Sequence, residues 1–110
     1  MEYSIYESME AVNDVTHLAE YMLNELYNPK AAERFIGEYD RQVNHLKLFP
    51  LGYRGVSFEY RGFEIRIKAF STYNIFFVVD QVMNRVLILR VLKDRQDWKT
   101  ILRKQGIYHF

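Results

Sequence analysis

Tyr73-Asn74-Ile75-Phe76-Phe77-Val78-Val79, then Val86-Leu87-Ile88-Leu89-Arg90-Val91-Leu92, then Lys93-Asp94-Arg95-Gln96-Asp97-Trp98 is the stretch that decides the fold. The first run is apolar nearly throughout and rich in aromatic and β-branched residues, which predicts a strand at the centre of a sheet. Residues 80–85 carry a turn into the second run, another strand. Asp94, with Asp97 three residues on, has a capping-box-like spacing and predicts the start of a last helix. Trp98, Ile101 and Leu102 supply that helix's apolar side, with Trp98 as its core anchor, and Gly106 is a natural stop. An aromatic strand, a β-branched strand and a basic exit make a compact platform with cations at one end. Such a platform suits a polyanion or an acidic partner.

Upstream the same period of two continues. Phe63, Ile65 and Ile67 alternate with Glu64, Arg66 and Lys68, a strand over 63–70 with a charged outer face. Val56, Phe58 and Tyr60 predict the strand before it, and Arg61-Gly62 the hairpin turn between them. Before Pro50-Leu51-Gly52 the period is helical. Ala11, Val15, Leu18, Met22 and Leu26 predict one amphipathic helix over 9–27, capped by Ser8. Asn28-Pro29 opens a second, with Asn28 as cap and Pro29 at the first helical position, burying Ala32, Phe35, Ile36, Tyr39, Val43 and Leu46. A two-residue link forces the helices antiparallel. Residues 2–6 alternate as a short strand. The expected fold is α+β over a single domain, 1–110: an N-terminal strand, an antiparallel helical hairpin, a four-stranded mainly antiparallel sheet with helices on one face, and a short C-terminal helix.

Composition narrows the function classes. Hydrophobic content of 49% excludes wholesale disorder. There is no cysteine, so no disulfide, thiolate nucleophile or thiolate metal site. His17, His45 and His109 lack metal-ligand spacing, so no metal and no cofactor are expected, and His17 and His45 read as surface residues on helix flanks. Neither a signal peptide nor a membrane-spanning run is visible, so the expected location is the cytoplasm and no membrane partner is expected. Charge is uneven: residues 1–50 hold four Lys/Arg against nine Asp/Glu, and residues 51–110 hold eleven against five. The second half therefore invites a polyanion or an acidic protein, or each half merely solvates its own surface.

These pieces together resemble the RelE/ParE superfamily of bacterial toxins, the toxic halves of type II toxin–antitoxin pairs. The resemblance runs from Tyr3 to about Leu102. It is carried by Ala11-x-x-Asp14 with Leu18-Ala19-Glu20-Tyr21, Asn28-Pro29-Lys30-Ala31-Ala32-Glu33-Arg34-Phe35, Leu48-Phe49-Pro50-x-Gly52, and the three blocks quoted first. It implies a growth-inhibiting toxin neutralised by a cognate antitoxin. Two targets follow from it: DNA gyrase, poisoned without nuclease chemistry in ParE-like members, or ribosome-bound mRNA, cut in RelE-like members. The long hairpin leans ParE-like, and a decayed toxin serving as a binding module is a third reading.

Metal-free RNA cleavage needs a base for the 2′-hydroxyl, an acid for the leaving oxygen and cations on the phosphate. Arg66 and Lys68 point away from Phe63, Ile65 and Ile67. Arg90 is expected on an open face if Leu87, Leu89 and Val91 face the helices, and Lys93 and Arg95 lie at the strand's exit. These five are the catalytic or target-binding candidates; a solvated face or an antitoxin-docking face are the alternatives. RelE-like nucleases carry arginine after the first aromatic of the central strand, where this chain has Asn74. Tyr108 and His109 are weaker candidates, because a Tyr-His-aromatic tail supplies acid–base groups in some ribosome-dependent members. Here a helix intervenes, which predicts a frayed or antitoxin-contacting tail.

Overall fold

The computed structural model describes residues 2–110. Strand β1 (Ser4–Glu7) leads into α1 (Met9–Asn24) and α2 (Pro29–His45). A 3-10 turn (Pro50–Gly52) precedes β2 (Gly55–Tyr60), β3 (Phe63–Phe70), β4 (Tyr73–Asp80) and β5 (Arg85–Lys93), and α3 (Trp98–Lys104) follows. The sheet order is β1-β5-β4-β3-β2. Neighbours from β2 to β5 are antiparallel, and β1 lies parallel to β5, with Ser4 opposite Arg85 and Glu7 opposite Ile88. The α+β fold expected from the sequence is the fold observed, with β4 central as its composition required.

Local chemistry explains the boundaries. The Ser8 hydroxyl accepts from the Ala11 N–H (2.9 Å) and donates to the Leu89 carbonyl (2.7 Å), so one buried side chain caps α1 and ties it to β5. Such a cap contributes about 1 kcal/mol. Helix α1 stops at Asn24, three residues short of the expected end, because Tyr27 turns into the left-handed region (φ 50°) and the Asn28 N–H returns to the Met22 carbonyl. Leu26 is consequently exposed rather than buried, Ile36 within α2 is exposed as well, and the interhelical link spans Glu25–Asn28. Asn28 caps α2 through the Ala31 N–H, with Pro29 in its first turn. Arg61 and Gly62 both have positive φ (52° and 85°), the geometry of the tight β2–β3 hairpin.

Helices on one face is the expectation that fails. Ala11, Ala19, Met22, Phe35, Tyr39 and Val43 of the hairpin pack on Phe70, Ile75, Phe77, Val79, Val86, Ile88 and Val91. The opposite face has its own core: Val56, Tyr60, Ile65, Phe76, Val78, Leu87, Leu89 and Leu92, roofed by Leu102 and Tyr108 with Trp98 and Ile101 beside them. Trp98 anchors α3 on Phe76, ring centroids 5.3 Å apart. Its cap is Asp97, not Asp94, through the Thr100 N–H and hydroxyl. Both faces are thus covered, which accounts for the unbroken apolar character of β4 and β5.

Candidate functional site

The five candidate cations do not form one open face. A bulge in β5 is the first reason. Ile88 pairs with Phe77 and Arg90 with Phe76, leaving Leu89 as the extra residue. Val86, Ile88 and Val91 therefore meet the helical hairpin while Leu87, Leu89 and Leu92 turn to α3, a phase that differs from the Leu87, Leu89, Val91 face expected. Arg90 is not on an open face. Its guanidinium makes a bidentate pair with Asp14 of α1 (2.7 and 2.8 Å), and the Val91 N–H also donates to Asp14 (2.9 Å). Both side chains are well covered, 18% and 13% exposed. Hydrogen bonding to Asp14, opposed by burial, holds Arg90 still more firmly charged than usual.

The charged face of β3 is likewise turned inward. Arg66 and Lys68 do point away from Ile65, but towards the segment that follows α2. Arg66 donates to the carbonyls of Tyr53 (2.7 Å) and Leu51 (3.4 Å). Lys68 is 4% exposed, donates to the Tyr53 hydroxyl (2.9 Å) and lies over that ring at 4.8 Å. Residues 51–54 lie against this strand, with the Arg54 carbonyl accepting from the Ile67 N–H, so the charged face is covered rather than solvated.

Lys93 and Arg95 are the accessible pair. Residues 93–97 make a tight turn: the Asp94 N–H donates to the Thr72 carbonyl (2.8 Å), Asn74 Nδ2 to Asp94 (3.0 Å), and the Lys93 N–H to Gln96 Oε1 (2.8 Å). Asn74, buried in the sheet, thereby fixes the turn that presents Arg95 to solvent. Lys93 leans over the Tyr21 ring of α1 at 5.2 Å. A groove of about 450 Å³ lined by Thr72, Tyr73, Lys93, Asp94 and Arg95 opens between them. Burial raises Tyr73 above the ordinary phenol range, opposed by a hydrogen bond with Thr72, so at neutral pH it stays protonated. The roles of Tyr21, Asp14 and Tyr53 were not legible beforehand. Each acts through a partner on another element; Asp14 and Tyr21 stood inside quoted motifs, Tyr53 did not.

The tail is not frayed. Tyr108 is 4% exposed and meets Tyr60 edge-to-face, centroids 5.0 Å apart, its hydroxyl without a hydrogen-bond partner. Burial pushes its phenol up to about 12, with Arg90 pulling the other way. The His109 carbonyl accepts from the Met9 N–H (2.6 Å). Glu10 accepts from the His109 N–H (2.9 Å) and lies 2.6 Å from Nδ1. The tail therefore closes over the start of α1. His17 and His45 are exposed, as expected. Among the described residues no cluster of His, Asp and Glu is placed to hold a metal ion, and no helix is long and apolar enough to cross a membrane.

Residues 6–98 match the family described as the ParE toxin of the type II toxin–antitoxin system, parDE. Among solved structures, the chromosomal ParDE toxin–antitoxin system from P. aeruginosa superposes with a TM-score of 0.67 at 19% identity, covering 84% of this chain and 96% of that one. The toxin–antitoxin complex RelBE2 from Mycobacterium tuberculosis gives a TM-score of 0.55 at 19% identity, with coverage of 84% and 99%. At such identities the likeness is one of fold. No curated protein matches by sequence.

Proposed function

The chain belongs to the ParE toxin family of type II toxin–antitoxin systems, and we propose that it arrests growth by binding and poisoning DNA gyrase and is neutralised by a cognate antitoxin. One observation carries the choice of target. Three of the five cations that a ribosome-dependent nuclease would turn on phosphate are engaged inside the protein: Arg90 by Asp14, Lys68 by Tyr53, and Arg66 by two carbonyls. A cation already in a bidentate carboxylate pair offers little to a developing phosphorane charge unless that pair is broken. The acid–base pair the tail might have supplied is also occupied. The Tyr108 phenol is buried with its pKa near 12, and His109 is held against Glu10. A protein with a stable covered sheet and exposed apolar helix surface is better suited to binding than to bond cleavage.

The accessible Lys93–Arg95 pair favours the second reading, an mRNA endonuclease. Purified protein should block gyrase supercoiling and accumulate gyrase–DNA cleavage complexes, while leaving ribosome-programmed mRNA intact. Ribosome-dependent mRNA cleavage that disappears in Arg95→Ala, with gyrase unaffected, would overturn the proposal. Growth arrest relieved by the neighbouring small reading frame tests the antitoxin half independently.

A further inference from the structure

The other end of β5 from Lys93 carries a pocket of different make. It measures about 190 Å³ and is walled by the rings of Tyr6, Tyr60, Phe63 and Phe110, with Arg61 and Arg85 beside them. Register explains the gathering. Tyr6 lies opposite Leu87, and Tyr60 opposite Phe63 across the β2–β3 hairpin, so these side chains share the α3 face of the sheet. Tyr108, edge-to-face on Tyr60, brings Phe110 alongside. Tyr60 is buried, whereas Tyr6 and Phe110 are 49% and 53% exposed. The neighbouring carboxylates point to the opposite face, where Glu7 accepts from the Tyr39 hydroxyl and Glu64 pairs with Arg66. Arg61 is exposed and lies over the Tyr60 ring at 5.4 Å. Asp80 steers Arg85 through Nε (3.2 Å), and no hydrogen bond engages the terminal guanidinium nitrogens among the described residues.

We propose that this pocket receives one unpaired base of a single-stranded nucleic acid, with Arg61 and Arg85 on the phosphates flanking it. The volume sets the size of the occupant. It falls below the roughly 300–1,000 Å³ of sites that enclose a whole small molecule, so it takes a single ring system whose remainder runs over the surface. The walls set its chemistry. Exposed aromatic rings stack on any base, and a guanidinium meets a phosphate through two parallel N–H groups. An apolar side chain of a protein would fill the space but leave both guanidiniums unanswered. Duplex is a poor ligand, because its bases are stacked on one another and must be extruded to enter. Asp80 offsets one of the two positive charges, which makes the electrostatic share of binding small. The inference is independent of the gyrase reading, since none of these residues enters it.

The test is a fluorescence-anisotropy titration of the full chain against fluorescein-labelled dodecathymidylate, with unlabelled dodecauridylate as competitor. Both strands should bind, and the dodecathymidylate annealed to its complement should bind about tenfold or more weakly. Affinity should fall about three- to sevenfold between about 50 and 200 mM salt, as one or two neutralised phosphates require on a single strand. Tyr6→Ala and Phe110→Ala should each weaken binding by about tenfold through loss of a stacking ring. Tyr6→Leu should lose about as much, because it keeps apolar area but not the flat face. Arg61→Asn suits the left-handed backbone at that position (φ 52°) and should make the salt dependence shallower. Phe49→Ala removes a 75% exposed ring outside the pocket and should change nothing. Thermal melts confirm that each variant is folded, and the exposure of Tyr6 and Phe110 keeps both substitutions mild. Equal affinity for duplex and single strand, full binding by Tyr6→Leu or by both alanine variants, or an equal loss in Phe49→Ala each overturn the proposal.

Discussion

Removing the Asp14 carboxylate should cost this protein more stability than any other single surface-proximal change. Asp14 accepts three hydrogen bonds from β5, two from Arg90 and one from the Val91 N–H. Asp14→Ala leaves a guanidinium that is only 18% exposed without its counter-charge, and the Val91 N–H, beyond the end of β1, without its acceptor. Breaking a fully buried pair costs about 3–5 kcal/mol. Residual exposure lets water repay part of that, so about 3 kcal/mol is the working figure. A domain of this length has an unfolding entropy near 0.23 kcal/mol/K, so the melting temperature should fall by about 13 °C. Arg90→Ala should cost less, about 1–2 kcal/mol, because the carboxylate keeps the Val91 N–H and gains water. The double variant should be less destabilised than the sum, with a coupling of about 1–2 kcal/mol. Circular-dichroism melts and urea titrations of all four proteins measure this, alongside plating assays for toxicity. A fall of less than about 3 °C in Asp14→Ala would refute the reasoning. So would loss of toxicity in Arg90→Ala with an unchanged melt, since that would make Arg90 a target contact rather than a clamp.

Tyr108→Phe should stabilise the protein by about 1 kcal/mol, because it removes a buried hydroxyl without a partner and keeps the ring on Tyr60; a urea midpoint that falls instead would reveal a bond to that hydroxyl. Deleting residues 107–110 should destabilise by about 3 kcal/mol through loss of that ring, read in the same titration. Burial raises the Glu10 carboxyl, but the bonds from His109 outweigh it and leave the pKa below the ordinary 4.5. Its contribution is therefore complete above about pH 4.5 and lost as pH falls through the depressed folded value, so the protection of the Met9 amide relative to its intrinsic exchange rate should fall only in that acid range. Lys68→Met should change stability by less than about 1 kcal/mol, since an apolar stem of similar length fills the space under Tyr53. Arg95→Ala should leave the melt unchanged within about 0.5 kcal/mol and reduce toxicity only in part.

The order and type of the strands and α-helices from β1 to α3 were determined by the sequence alone, because those signals are local. Period-two runs mark β2 and β3, continuous apolar runs mark β4 and β5, and a 3–4 spacing marks the hairpin, with Ser8, Asn28-Pro29 and Arg61-Gly62 as punctuation. Lys93 and Arg95 were legible as cations at the exit of a strand, but only as two of five candidates expected to share one face. What only the tertiary structure decided is which polar groups are spent inside. Arg90 and Asp14 lie 76 residues apart, and Lys68 and Tyr53 meet only because the chain after α2 comes to lie against β3. The bulge at Leu89 re-phases β5, and no pattern within Val86–Leu92 marks it, since every neighbouring residue but Arg90 is apolar. The tail's return over α1 rests on two contacts, Tyr108 with Tyr60 and His109 with Glu10, that connect it to distant elements. A side chain's charge is written in the sequence; whether that charge faces water or a carboxylate depends on long-range packing, and it is that packing which turns an apparent five-cation face into a clamped core with Lys93 half-buried over Tyr21 and Arg95 exposed at its edge.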